Sequence, residues 1–309
     1  IIAGQIWYNT TTQQLKVAPL LAAWAAGDTM NTNRYGAGGF APVSAALICG
    51  GNTLASGDTP TGVTEEYDGS SWTESGDFNT ARYYVGCFGV QTAAVAFGGD
   101  NRPPGTSTNV TNEEYNGSSW TAGEDYSAAT SVAMGAGTLT AGLGWGGGNL
   151  APESYEYDGT DWATGGDLNT VIKWAGGGGT QTAAISFGGF SPPAWPVQTE
   201  EYDGSSWTTG GDMNQARQTY SGGGGGNTQT STLAAGGYNA TQSPAFYNDT
   251  ELYDGSTWTT SSDISTARGY GTGGGTTSAG LLVGAYTGSL TGVTEEFTNV
   301  TTARSVDTT

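Results

Sequence analysis

One short stretch recurs along the chain and restricts the folds open to it. EEYDGSSWT begins at Glu65, NEEYNGSSWT at Asn112, YEYDGTDWA at Tyr155, EEYDGSSWT again at Glu200 and ELYDGSTWT at Glu251. Aligned on their tryptophans, Trp72, Trp120, Trp162, Trp207 and Trp258, the copies lie 42 to 51 residues apart. Trp24 joins the series, because Asn31 and Arg34 follow it as Asn79 and Arg82 follow Trp72. A period in the forties with several short strands per unit predicts a propeller.

Each unit reads as four strands. In the second, YYVGCFG (83–89), AAVAFGG (93–99), NVTNEEY (109–115) and SSWTAG (118–123) are separated by Gln91-Thr92, a long loop and Asn116-Gly117. Asp-Gly and Asn-Gly are the signal for a type I′ hairpin, which needs positive φ at both central residues. The paired glycines Gly50-Gly51, Gly98-Gly99, Gly146-Gly147, Gly188-Gly189 and Gly236-Gly237 recur, with Gly284-Ala285 as a sixth variant. The third strand ends six times on an aromatic, Tyr67, Tyr115, Tyr157, Tyr202, Tyr253 and Phe297. The last copy, TEEF, has no Asp-Gly and Trp after it, and Trp24 has no Glu-Glu-Tyr before it. The N-terminal strand around Trp24 is therefore expected to complete the last blade and close a ring of six, which removes two open sheet edges. The expected fold is all-β, a six-bladed propeller of four-stranded blades over residues 20–309, preceded by a junction segment, 1–19. Within that segment IWYNTTTQQLKV (6–17) is expected to pair with the tail ARSVDTT (303–309) at the seam.

Composition narrows the chemistry. Histidine is absent, which removes the usual general base and the usual copper and zinc ligands. The balance of 8 Lys+Arg against 28 Asp+Glu gives a net charge of −20, which repels nucleic acid and anionic surfaces. No run is long and apolar enough to span a membrane. The chain opens on Ile1, as expected of a processed chain or a fragment. Cys49 and Cys87 lack metal-ligand spacing and read as two small buried thiols in preference to a disulfide. The glycine runs 176–179 and 222–226 open no helical pattern, so they read as crowded innermost strands and not as phosphate loops.

Apolar residues before Gly-Gly, a spaced Tyr and Trp, and an Arg ten residues after the Trp resemble the kelch repeat over nearly the whole chain. Tyr and Trp stand closer here than in that repeat, because Asp-Gly replaces a longer turn. With this short hairpin, the GTQTAA-like turns (179–184) and the opening GQIWYNTTTQQLKV, the chain is similar to kelch-like structural proteins of bacteriophage particles, marine phages above all. The resemblance implies a non-enzymatic virion protein in a tail-fibre, spike or head-attached position. Its expected partners are other virion subunits, further copies of the chain, and a host-surface glycan or receptor; it implies no cofactor. A secreted lectin or glycan-active enzyme on the same scaffold is the alternative. An intracellular kelch adaptor ranks lower, since such adaptors carry a partner domain. The hairpin is not the sialidase Asp-box, whose Asp and Gly are separated by one residue, and galactose oxidase needs copper-binding histidines.

Three residue sets remain. Asp28, Asp77, Asp125, Asp167, Asp212 and Asp263 lie in a ring too wide for one ion, so each is expected to cap its own turn, with no metal bound. Glu65, Glu113, Glu200, Glu251 and Glu295 precede the strand-end aromatics, with Tyr155 in the remaining slot; Arg34, Arg82, Arg217 and Arg268 follow the tryptophans, with Thr130 and Ile172 in theirs. Pairing is expected either within a blade, leaving Glu200 facing Ile172, or between blades, leaving Glu113 facing Thr130. Finally, the loops after the paired glycines (52–62, 100–110, 149–153, 190–198, 238–249, 286–292) vary while the opposite turns repeat. Variable loops on a rigid frame are where recognition resides. Trp195, Phe246 and Tyr247, with Arg102 beside them, are the expected binding residues.

Overall fold

The computed structural model describes residues 6–9, 14–17, 22–40, 42–54, 57–102, 105, 107–219 and 227–299. A hairpin of β1 (Ile6–Asn9) and β2 (Gln14–Val17) precedes β3 (Ala23–Ala26). Blade one follows as β4 (Gly38–Phe40), β5 (Ala46–Cys49), β6 (Thr64–Tyr67) and β7 (Trp72–Ser75). Blade two is β8 (Gly86–Val90), β9 (Ala93–Phe97), β10 (Asn112–Tyr115) and β11 (Trp120–Ala122). Blade three is β12 (Met134–Thr138), β13 (Ala141–Trp145), β14 (Ser154–Tyr157) and β15 (Trp162–Thr164). Blade four is β16 (Gly176–Thr180), β17 (Ala183–Phe187), β18 (Thr199–Tyr202) and β19 (Trp207–Thr209). Blade five shows β20 (Thr232–Ala235), β21 (Thr250–Tyr253) and β22 (Trp258–Thr260); the slot of its innermost strand, with the glycine run 222–226, lies outside the described residues. Blade six is β23 (Thr272–Gly275), β24 (Ala279–Tyr286) and β25 (Leu290–Thr298), completed by β3. All pairings are antiparallel, and no helix occurs among the described residues.

The expected closure is present: Trp24 pairs with Phe297 and Ala25 with Glu296. In the opening segment β1 and β2 pair with each other, Ile6 with Val17 through Asn9 with Gln14; the expected partner, the tail 303–309, lies outside the described residues.

The paired glycines hold each blade to the next. The first of each pair is left-handed, at φ +65 for Gly50 and +64 for Gly98. A Cβ at Gly50 would stand 2.4 Å from the Arg82 carbonyl, and at Gly98 2.8 Å from the Thr130 carbonyl. The second glycine donates its N–H to that same carbonyl, Gly51 to Arg82 at 3.0 Å and Gly99 to Thr130 at 2.8 Å. In the inner strand of blade four a Cβ at Gly177 would meet the Trp145 ring at 2.5 Å, and one at Gly176 the Phe187 ring at 2.3 Å.

The Asp-Gly hairpin is not the type I′ turn its sequence predicts. Tyr67 pairs with Trp72, the turn centres on Gly69-Ser70, and of these only Gly69 has positive φ, +94. Asp68 is not left-handed because its Oδ1 accepts the N–H groups of Ser70 and Ser71, both at 2.8 Å. Those bonds pull the Asp68 carboxyl down to about 2. The Asn and Asp side chains at 116, 158, 203 and 254 make the same pair of bonds.

Arginine and glutamate pair within a blade. Arg34 meets Glu65 at 3.1 Å, Arg82 meets Glu113 at 2.6 Å, Arg217 meets Glu251 at 3.0 Å and Arg268 meets Glu295 at 2.7 Å, all buried. Glu200, facing Ile172, is held by the Asn169 and Thr170 N–H groups at 2.8 and 2.9 Å and by Asn169 Nδ2 at 3.0 Å. Adjacent blades are joined by a second set. The strand-end hydroxyls donate to the other glutamate of the preceding blade, Tyr67 to Glu296 at 2.5 Å, Tyr115 to Glu66 at 2.5 Å, Tyr202 to Glu156 at 2.7 Å, Tyr253 to Glu201 at 2.8 Å, and Tyr157 to Glu114. Where the sixth blade has Phe297, the preceding blade has Leu252, and the two lie in one apolar cluster. Indoles add a third set: Trp72 donates to Thr294, Trp120 to Thr64, Trp258 to Thr199 and Trp24 to Thr250, each at 2.9 Å.

The tyrosines give the ring an alkaline limit. Burial and then the Glu296 hydrogen bond push Tyr67 up to about 12; burial and Glu66 do the same for Tyr115, and burial and Glu201 for Tyr253. A raised tyrosine favours folding while both states are protonated and loses that contribution once the unfolded chain ionises, near its ordinary value of about 10. The denaturant midpoint should therefore fall between about pH 10 and about pH 12, and Tyr67→Phe should flatten that fall. A midpoint constant across this window would contradict the assignment.

Candidate functional site

Within a blade the strands alternate in direction, so the second-to-third loops and the linkers between blades share one end of the propeller. There the residue after each glycine pair bridges to the residue eleven after a repeat tryptophan: Asn52 to Tyr35, Asp100 to Tyr83, Phe190 to Lys173, Tyr238 to Gln218 and Tyr286 to Gly269. The next linker residue is left-handed in five of the blades, Gly36 at φ +61, Tyr84 at +56, Val132 at +55, Trp174 at +56 and Tyr270 at +61. In a side chain other than glycine this conformation costs about 1–3 kcal/mol. Bonds between linkers offset it: Gly36 donates its N–H to Tyr270, Tyr84 to Gly36 and Val132 to Tyr84, at 3.0, 2.6 and 2.8 Å. The linkers are thereby hydrogen-bonded to one another around the axis.

This collar carries a chain of aromatic rings, half-buried except for the buried Tyr83. Tyr83 lies 4.6 Å from Tyr84, Tyr84 lies 6.1 Å from Tyr35, and Tyr35 lies 6.1 Å from Tyr270. The series continues from Tyr270 to Tyr238 at 5.5 Å, to Trp195 at 6.1 Å, to Phe190 at 4.7 Å and to Trp174 at 6.1 Å. Phe246 packs against Tyr238 at 5.2 Å and Tyr286 at 6.1 Å. The Lys173 ammonium stands 4.4 Å over the Trp174 ring and 5.6 Å from that of Phe190.

Between Tyr84 and Trp174 the chain of rings is interrupted by a cleft of about 250 Å³, lined in part by Arg102, Ser131, Val132 and Gly148. It opens beside the third blade, whose loop 149–153 is the shortest of the six. Arg102 grips Asp100 with Nε and Nη2, at 3.1 and 2.7 Å, and its side chain is 49% exposed. Asp100 in turn holds Arg102 protonated more firmly than usual. The Tyr83 hydroxyl donates toward Asp58 at 2.9 Å and Asp100 at 3.2 Å, and burial followed by these carboxylates raises its titration well above the ordinary tyrosine value.

Of the four expected binding residues, Trp195 and Phe246 share the aromatic chain through Tyr238. Tyr247 accepts a hydrogen bond from Gln215 Nε2 at 3.0 Å, and Arg102 lies at the cleft. Tyr35, Tyr83, Tyr84, Lys173, Trp174, Tyr238 and Tyr270 join them without having been expected from the sequence. Their signal was present, since they occupy fixed offsets from the repeat tryptophans and glycine pairs.

The aspartate ring behaves only partly as expected. Asp28 accepts the Thr29 N–H at 3.0 Å, and Asp263 accepts Asn248 Nδ2 at 3.2 Å; all six aspartates are exposed. The linker N–H groups are instead held by the strand-three glutamates, as Asn79 and Thr80 are by Glu113 at 2.8 and 3.4 Å. Among the described residues no group of three or more metal-type ligands converges. Cys49 and Cys87 are free, buried thiols 4.0 Å apart across blades one and two. No protein-family model and no curated protein matches the chain.

Proposed function

We propose that this chain is a non-enzymatic recognition propeller carried on a bacteriophage particle, with its loop face turned toward a glycan of the host surface. The observation that carries this reading is the series of half-buried rings around the axis, Tyr84 to Tyr35, Tyr270, Tyr238, Trp195, Phe190 and Trp174, on the face whose loops vary. Aromatic faces with polar edges suit sugar rings, whose axial C–H groups are apolar and whose hydroxyls are not. A rigid collar lowers the ordering cost of binding. The kelch-like spacing and the opening segment support the particle setting. The confinement of four arginines to buried glutamate pairs supports a role without catalysis.

The test is competition for host adsorption. The purified chain should block attachment of the parent phage, and a folded Trp195→Ala, Phe246→Ala, Tyr247→Ala variant should not. Equal blocking by the variant would place recognition elsewhere, and absence of the chain from purified particles would end the virion reading.

A further inference from the structure

We propose that the cleft between blades two, three and four binds an acidic sugar, with Lys173 and Arg102 meeting its carboxylate and Tyr84 and Trp174 flanking its ring. The inference rests on the recognition reading above and gives it a ligand class. It starts from scarcity. The chain has eight basic residues at a net charge of −20. Arg34, Arg82, Arg217 and Arg268 are buried against glutamates. Among the described side chains that leaves Arg102 and Lys173, and both line this one cleft.

The two cations differ in their partners. Arg102 is balanced by Asp100, which fixes its Nε and Nη2 edge. Lys173 has no carboxylate within ion-pair reach among the described residues; its ammonium lies against the rings of Trp174 and Phe190. An ammonium held on an aromatic face beside a cleft, in a strongly acidic protein, provides a local site for an anion. Size and lining select among anions. A space of about 250 Å³ admits one ring with its substituents, below the roughly 300–1,000 Å³ of drug-sized sites. The hydroxyl of Ser131 and the backbone of Gly148 add polar groups suited to sugar hydroxyls. Space is left there because the third-blade loop, 149–153, is short.

The test uses the intact chain and three probes by calorimetric titration: methyl β-D-glucuronide, methyl β-D-glucoside and acetate. The glucuronide should bind, the glucoside about tenfold or more weaker, and acetate not measurably, since one charge-assisted hydrogen bond is worth about a factor of ten. Lys173→Met keeps the packing stem and should remove the preference for the acid; Arg102→Gln should weaken it with an unchanged Tm. Equal affinity for glucuronide and glucoside, or an unaltered preference in Lys173→Met, overturns the acidic-sugar site. A glycan array separates the two readings. Binding to neutral glycans alone, retained by Lys173→Met, removes this site and leaves loop-face recognition standing. No glycan binding by the parent removes both.

Discussion

Glu113→Ala should lower the unfolding free energy by about 5 kcal/mol and Arg82→Ala by about 3 kcal/mol, the two ends of the range for breaking a buried ion pair. Both side chains are shielded from water and meet at 2.6 Å. The order of the two costs follows from what each loss leaves behind. Without Glu113, the guanidinium of Arg82, the Asn79 N–H and the Asn79 side-chain amide all lose an acceptor. Without Arg82, Glu113 keeps those Asn79 donors and the Thr80 N–H. The fourth blade already shows the second situation, since Glu200 faces Ile172 and is held by the same kind of N–H donors. Arg82→Ile, which copies that blade and fills the space, should therefore cost less than Arg82→Ala. Urea midpoints at unchanged slope measure all three. A larger cost for Arg82→Ala than for Glu113→Ala would show that the arginine, and not the glutamate, anchors the linker.

Trp145→Ala should cost about 3–5 kcal/mol, the usual penalty for emptying a large aromatic site. Trp145 is wholly buried at the end of β13, 5.3 Å from the ring of Trp207. Its six-membered ring fills the space left by the missing side chain of Gly177 in the next blade. Phe97 and Phe187 occupy the matching position in blades two and four. The indole Nε1 of Trp145 is buried without a hydrogen-bond partner among the described residues. Trp145→Phe removes that unpaired donor along with some volume, so its cost should be less than half that of Trp145→Ala. Thermal unfolding of the two variants decides it; equal losses would mean that the indole nitrogen carries no penalty.

The sequence exposes the ring more fully than the site. Trp24 and TEEF each lack what the other supplies, and they pair, so blade number and closure could be read directly. The register of Arg and Glu could not, because Thr130, Tyr155 and Ile172 leave one mismatch under either pairing. The inter-blade Tyr–Glu bond was legible in principle, since Leu252 and Phe297 replace both partners together. The Asp-Gly turn was misread because dipeptide statistics ignore the two N–H groups that Asp68 Oδ1 collects from Ser70 and Ser71. The aromatic collar escaped notice for a different reason. Its members come from loops and linkers of different blades, and only the backbone conformation at Tyr84, Trp174 and Tyr270 brings their rings to one axis.

Closure by β3 also sets a clock. Its Trp24 is made 273 residues before its partner Phe297. At about 5–20 residues per second, synthesis of the intervening segment takes on the order of tens of seconds. For that interval five blades have their own third and fourth strands to fold on, while the strand at Ala23–Ala26 has no sheet to join. Pairings so distant in sequence are the slow ones. The rate at which finished rings accumulate should thus be governed by the meeting of β3 with β25, and a waiting β3 is the element most open to exchange with the sixth blade of a neighbouring copy.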